Sequence, residues 1–79
     1  MDNKAKYDKL FIEVIGVSPS DLDENLRYNT IQSWDSVGHM ALISQMEETF
    51  GIMLDVDDII DFSSYEKGKE ILGKYDISI

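Results

Sequence analysis

Trp34-Asp35-Ser36-Val37-Gly38-His39-Met40-Ala41-Leu42-Ile43-Ser44-Gln45-Met46-Glu47-Glu48-Thr49-Phe50-Gly51-Ile52 is the stretch on which the reading of this chain turns. Asp35 is a helix-capping residue whose carboxylate can accept a hydrogen bond from an otherwise unpaired first-turn amide, and Gly51 is a helix stop. Between them, at about 100° per residue, Leu42, Ile43, Met46 and Phe50 share one face with His39 at its upper end. Val37, Ala41, Ser44 and Glu48 fall on the opposite side, flanked by Met40 and Glu47. The stretch therefore predicts an amphipathic helix with a second, partly apolar face. Ser36 stands in its first turn, where a hydroxyl is exposed and the positive end of the helix dipole favours an attached anion by about 0.3–1 kcal/mol. The hydroxyl is well placed to be modified.

Towards the N-terminus, Tyr7, Leu10, Phe11, Val14 and Ile15 recur at helical spacing and Gly16 supplies a stop, which predicts a first helix. Residues 17–34 then form a long connection, and loops beyond about 12–15 residues are uncommon in a small domain unless functional. Ser18-Pro19-Ser20-Asp21 fits a short turn within it, and Leu22, Leu26, Tyr28 and Ile31 are expected to pin it to the core. Beyond Gly51, Ile52, Leu54 and Val56 lead into the acidic run Asp55 to Asp61, where Ile59, Ile60 and Phe62 are spaced for a short third helix. Ser63 followed by Glu66 matches a capping box, and Tyr65, Gly68, Ile71, Leu72 and Tyr75 give the inward stripe of a last helix. The expectation is one all-α domain over residues 1–79, a four-helix bundle with three main helices, a short third helix and a long loop between the first two.

Composition narrows the function. At 79 residues a globule buries only about 60% of its unfolded surface, which leaves little room for an enclosed catalytic cavity. The net charge of −9 argues against nucleic acid and anionic membranes, makes basic proteins the natural partners and, through like-charge repulsion, makes a monomer the default. Arg27 and Lys67 bracket a stretch without lysine or arginine that contains Asp35, Glu47, Glu48, Asp55, Asp57, Asp58, Asp61 and Glu66. The middle of the chain is an acidic surface. Without cysteine there is neither disulfide framework nor thiolate metal site, so any thiol chemistry uses an imported thiol. No apolar run is of signal-peptide type or approaches the ~20 residues of a membrane span, and a cytoplasmic location is expected.

Asp35-Ser36-Val37 followed by Glu47-Glu48-Thr49-Phe50-Gly51-Ile52, together with Trp34 and the long preceding loop, resembles the acyl carrier and peptidyl carrier family. In that family an Asp-Ser-Leu variant opens a helix that ends in Glu-Glu-x-Phe-Gly-Ile. The resemblance spans essentially the whole chain and is densest from Trp34 to Ile52. It implies a 4'-phosphopantetheine arm, transferred from coenzyme A by a phosphopantetheinyl transferase onto Ser36, whose thiol holds an acyl or aminoacyl group as a thioester. Such a protein is a carrier and not itself an enzyme. Its partners are the transferase, an acyl- or aminoacyl-loading ligase or transferase, and downstream synthase enzymes with basic docking patches. By the resemblance, Asp35 caps the helix and aids recognition, Val37, Met40 and Ser44 dock, and Glu47, Glu48, Asp55, Asp57, Asp58 and Asp61 meet basic residues at the rim. Leu42, Met46, Leu54, Ile59 and Phe62 line the space in which an apolar chain is sheltered.

The pattern departs from carriers of general fatty acid synthesis, which usually show further acidic residues early in this helix, where Gly38, His39 and Ala41 stand here. That leans towards a specialised polyketide, aminoacyl or surface-glycan pathway. The alternative is an unmodified acidic helical adaptor that binds a basic partner through the same face. A serine–histidine dyad of Ser36 and His39 lacks an orienting acid and an oxyanion site at suitable spacing. An EF-hand reading of Asp55, Asp57, Asp61 and Glu66 fails because Ile59 and Ile60 occupy a ligand position and the glycine turn, so no metal is expected.

Overall fold

The computed structural model describes residues 2–79. Asp2 caps the first helix, α1 (Asn3–Leu10), by accepting from the Ala5 amide at 2.8 Å. α1 runs on into a wider π-type turn, Phe11–Ile15, closed by the Gly16 amide on the Phe11 carbonyl at 3.0 Å. The sequence pattern did not distinguish this turn from ordinary α-helix. Gly16 at φ 81° and Gly51 at φ 64° adopt the left-handed conformation that ends the first helical segment and α2, a conformation costly for residues with a side chain.

α2 (Ser36–Phe50), α3 (Val56–Asp61) and α4 (Tyr65–Gly73) complete the bundle, and among the described residues there is no strand. The expected all-α architecture with a short third helix is what the chain adopts. The long connection contains a single 3-10 turn, Pro19–Asp21, steadied by the Ser18 amide on the Asp21 carboxylate at 3.0 Å. Leu26 is buried, Leu22 and Ile31 are half-buried, and Tyr28 stays exposed. Two backbone bonds then tie the loop to the entry of α4: Tyr28 N–H to Ser63 O at 2.8 Å and Tyr65 N–H to Leu26 O at 2.9 Å.

That tie corrects the expected capping box. With the Ser63 carbonyl engaged by Tyr28, the chain turns into α4 one residue later, and Ser64 is the cap, accepting from the Lys67 amide at 2.9 Å. Glu66, instead of reaching back to the cap, pairs with Lys69 at 3.4 Å.

The core is built on aromatic rings. Tyr7, Phe11, Trp34, Phe62 and Tyr65 are all buried, and Phe11 sits edge-on to Trp34 and to Tyr65, each at 5.4 Å between centroids. The Tyr7 hydroxyl donates to the Tyr65 carbonyl at 2.6 Å, and burial pushes its ionisation well above the ordinary tyrosine value. Around these rings pack Leu42, Ile43 and Met46 from α2, Leu54, and Ile71 and Leu72 from α4. This core sets the orientation of α2, so Ser36 is presented by a rigid element.

Candidate functional site

Ser36 is the first residue of α2 and is exposed. Asp35 precedes it in extended conformation, as a cap must, and its Oδ1 accepts from the Gly38 amide at 2.9 Å while its carbonyl accepts from His39 N–H at 2.8 Å. The expected cap is therefore formed. The amides of Ser36 and Val37 have no intrahelical partner by helix geometry, which leaves donors beside the Ser36 hydroxyl for an attached anion. Upstream, the Ser33 hydroxyl donates to the Ile15 carbonyl at 2.6 Å and fastens this turn to the end of the first helical segment. Gly38 is required by that packing, because a Cβ there would run into the Ser33 carbonyl oxygen.

His39 is the most deeply placed polar group near Ser36, with 9% of its surface exposed. Trp34 Nε1 meets its Nδ1 at 3.0 Å and its Nε2 lies 2.8 Å from the Ile59 carbonyl. An indole N–H can only donate and a carbonyl can only accept, so Nδ1 is bare and Nε2 carries the proton. Both ring nitrogens are thus consumed, one by the residue entering α2 and the other by α3. Neither is left to act as a base towards Ser36, so the dyad geometry is not formed. The ring is further boxed by Tyr28 at 5.3 Å and Phe62 at 6.0 Å, both edge-on.

A cleft of about 340 Å³ opens beside Ser36, lined by Tyr28, His39, Met40, Ile59, Ile60, Phe62 and Ser63. It lies between α2 and α3, is mostly apolar, and reaches Ile59 and Phe62 of the expected chain-sheltering set. The other members of that set lie elsewhere: Leu42, Met46 and Leu54 are packed in the closed core and do not line the cleft. Tyr28, Ile60 and Ser63 were expected in the loop packing, the third helix and a helix cap, and were not assigned to this cleft. The loop-to-α4 tie that places Tyr28 and Ser63 joins residues far apart in the chain, and no local pattern signals it.

The expected docking residues divide. Val37 is 77% exposed, and Met40, Ser44, Glu48, Asp55, Asp57 and Asp61 also face solvent. Asp58 does not, and its assignment to the rim is corrected here: it is 5% exposed, with one carboxylate oxygen on Lys74 Nζ and the other on the Tyr75 hydroxyl, each at 2.5 Å. The Lys74 ammonium, followed by the tyrosine hydroxyl, holds its carboxyl below the usual carboxylate range. Glu47 is half-buried and accepts from the Leu54 amide at 2.9 Å, which fixes the turn between α2 and α3. Sequence reasoning missed exposed apolar surface on α3, where Val56 and Ile60 are 71% and 72% exposed. Ile60 and Met40 both line the cleft, so α2 and α3 each contribute exposed apolar surface there.

Among the described residues no cluster of histidine and carboxylate side chains could hold a metal ion, and no helix is long and apolar enough to cross a membrane. A family model described as the phosphopantetheine attachment site matches residues 9–67. No curated protein and no solved structure matches the chain.

Proposed function

Because the chain belongs to the phosphopantetheine attachment family, we propose that it is an acyl carrier whose arm is joined to Ser36 and whose acyl or aminoacyl cargo is passed between partner enzymes. The observation that carries this reading is the exposed Ser36 hydroxyl at the start of a capped 15-residue helix, opening onto an apolar cleft. The surroundings suit the group. The Ser36 and Val37 amides offer donors to a phosphodiester, and the cleft offers an apolar wall to what the arm holds. When attached, the arm supplies the thiol on which cargo is held as a thioester, a group this cysteine-free chain lacks.

The protein's own residues present and identify the site. Asp35 holds the first turn in register, Gly38 lets that turn pack on Ser33, and Met40, Val37 and Ile60 offer apolar contact to an enzyme. Glu48, Asp55, Asp57 and Asp61 ring that contact with negative charge, which governs encounter rate and partner choice for enzymes with basic patches. The neutral residues Gly38, His39 and Ala41 in the first turns of α2 support a dedicated pathway over central fatty acid synthesis.

The test is the intact mass after incubation with coenzyme A, magnesium and a broad-specificity phosphopantetheinyl transferase, beside Ser36→Ala. A gain of one phosphopantetheine in the native chain alone supports the carrier. No gain in either chain, with a cognate transferase also tried, favours the unmodified adaptor.

A further inference from the structure

Along the buried face of α2 from Ser36, His39 comes first and Leu42, Ile43 and Met46 follow. Of these buried α2 side chains, His39 is the one that lines the cleft between α2 and α3, so it stands between the cleft and the rest of that face. Its Nε2–H bond to the Ile59 carbonyl bridges those two helices at the cleft, and the Trp34 bond on Nδ1 holds the ring from behind. The indole and imidazole planes lie at 22° with centroids 6.3 Å apart, and Tyr28 and Phe62 close the sides. Moving the ring aside leaves the buried indole donor and the half-buried Ile59 carbonyl without these partners, which disfavours the displacement. The cleft above it, about 340 Å³, is at the small end of the ~300–1,000 Å³ typical of small-molecule sites.

We propose that His39 sets the cargo length of this protein: by bonding α2 to α3 across the cleft it bars the core, so that the group carried at Ser36 stays in the surface cleft and is a short acyl or aminoacyl chain. This rests on the carrier reading of Ser36 given above. The flexible Met46 and the leucines behind the ring remain packed with one another whatever the arm carries. The cleft presents mainly apolar side chains, with the Tyr28 and Ser63 hydroxyls as its polar groups besides Ser36, since both His39 nitrogens are already spoken for.

Butyryl, octanoyl and dodecanoyl forms, made with the matching acyl-coenzyme A and a broad-specificity transferase and verified by intact mass, test this. In carbon–proton methyl spectra of the native protein, Met40, Ile59 and Ile60 are expected to shift on loading, while Leu42, Met46 and Leu54 superimpose for all three chains. In His39→Ala, the Leu42 and Met46 methyls are expected to move progressively with chain length, and the melting temperature to rise with it. Native core methyls that move with the dodecanoyl chain overturn the inference, as does a folded His39→Ala whose core stays silent. The native comparison decides by itself if that variant does not fold. A native chain that gains no mass removes the carrier reading and this one together, whereas a loaded chain with a responsive core removes only this one.

Discussion

Trp34 and His39, five positions apart, are joined by a 3.0 Å hydrogen bond from indole to imidazole, so the residue that enters α2 also orients the first buried side chain on it. Trp34→Phe keeps an aromatic ring in place but leaves His39 Nδ1 without a donor. The expected cost is about 1–3 kcal/mol, read as a lower urea midpoint with an unchanged slope. An unchanged midpoint would mean that the bond adds nothing to stability.

Gly38→Ala provides a test in which the usual rule reverses. Within a helix, alanine is better than glycine by up to about 1 kcal/mol. Here the added methyl meets the Ser33 carbonyl, and over-packing of this kind costs about 1–3 kcal/mol. Thermal melts should place the variant below the native protein; a rise would show that the Ser33 turn yields freely.

Asp35→Ala removes the cap on Gly38 and should lower stability by about 0.5–2 kcal/mol, measured by chemical denaturation. Asp35→Asn, which can still accept the Gly38 bond, should recover most of that loss. Equal losses for the two variants would point to charge, not capping, as the role of Asp35 in folding.

The Asp58 carboxyl is held low by Lys74 and Tyr75, so its ionised form is favoured in the folded state. Its contribution is fully present above the unfolded carboxylate value near pH 4 and is lost as pH falls through the lower folded value. The stability difference between native protein and Asp58→Asn, followed by denaturation from neutral pH down to about 2.5, should therefore be constant at first and shrink below about pH 4. A difference that stays flat to the acid end would contradict the pairing.

Met40→Asp and Ile60→Asp place charge on the exposed apolar surface at the cleft. Surface changes of this kind usually move stability by no more than about 0.5 kcal/mol, yet both should raise the KM of a partner enzyme if that surface is where enzymes dock. Added salt should slow association of the native protein through screening of the acidic rim. Unaltered kinetics for both variants would relocate the docking surface.

Much of the frame was legible because it is written locally. Asp35, Gly51 and the Leu42, Ile43, Met46 stripe announce α2 by capping chemistry and period alone, and both rules act within a turn or two. What escaped was decided across the chain. Asp58 looks like its acidic neighbours until Lys74 and Tyr75 arrive from sixteen and seventeen residues away. Ser63 satisfies a capping pattern, but its carbonyl is claimed by Tyr28 and the helix starts after Ser64. The sheltering space expected from Leu42, Met46 and Leu54 assumed a core that opens; in the structure these three are packed together, and the His39 imidazole that stands between them and the cleft is held by hydrogen bonds to Trp34 and Ile59 that no local pattern announces.

Trp34 is the chain's single tryptophan, wholly buried and one bond from the cleft floor. The molecule thereby carries its own optical reporter, free of background from any other indole. Its emission is expected to be blue while the indole stays buried beside His39 and to redden if water reaches it, so the state of that contact can be followed in unlabelled protein in real time.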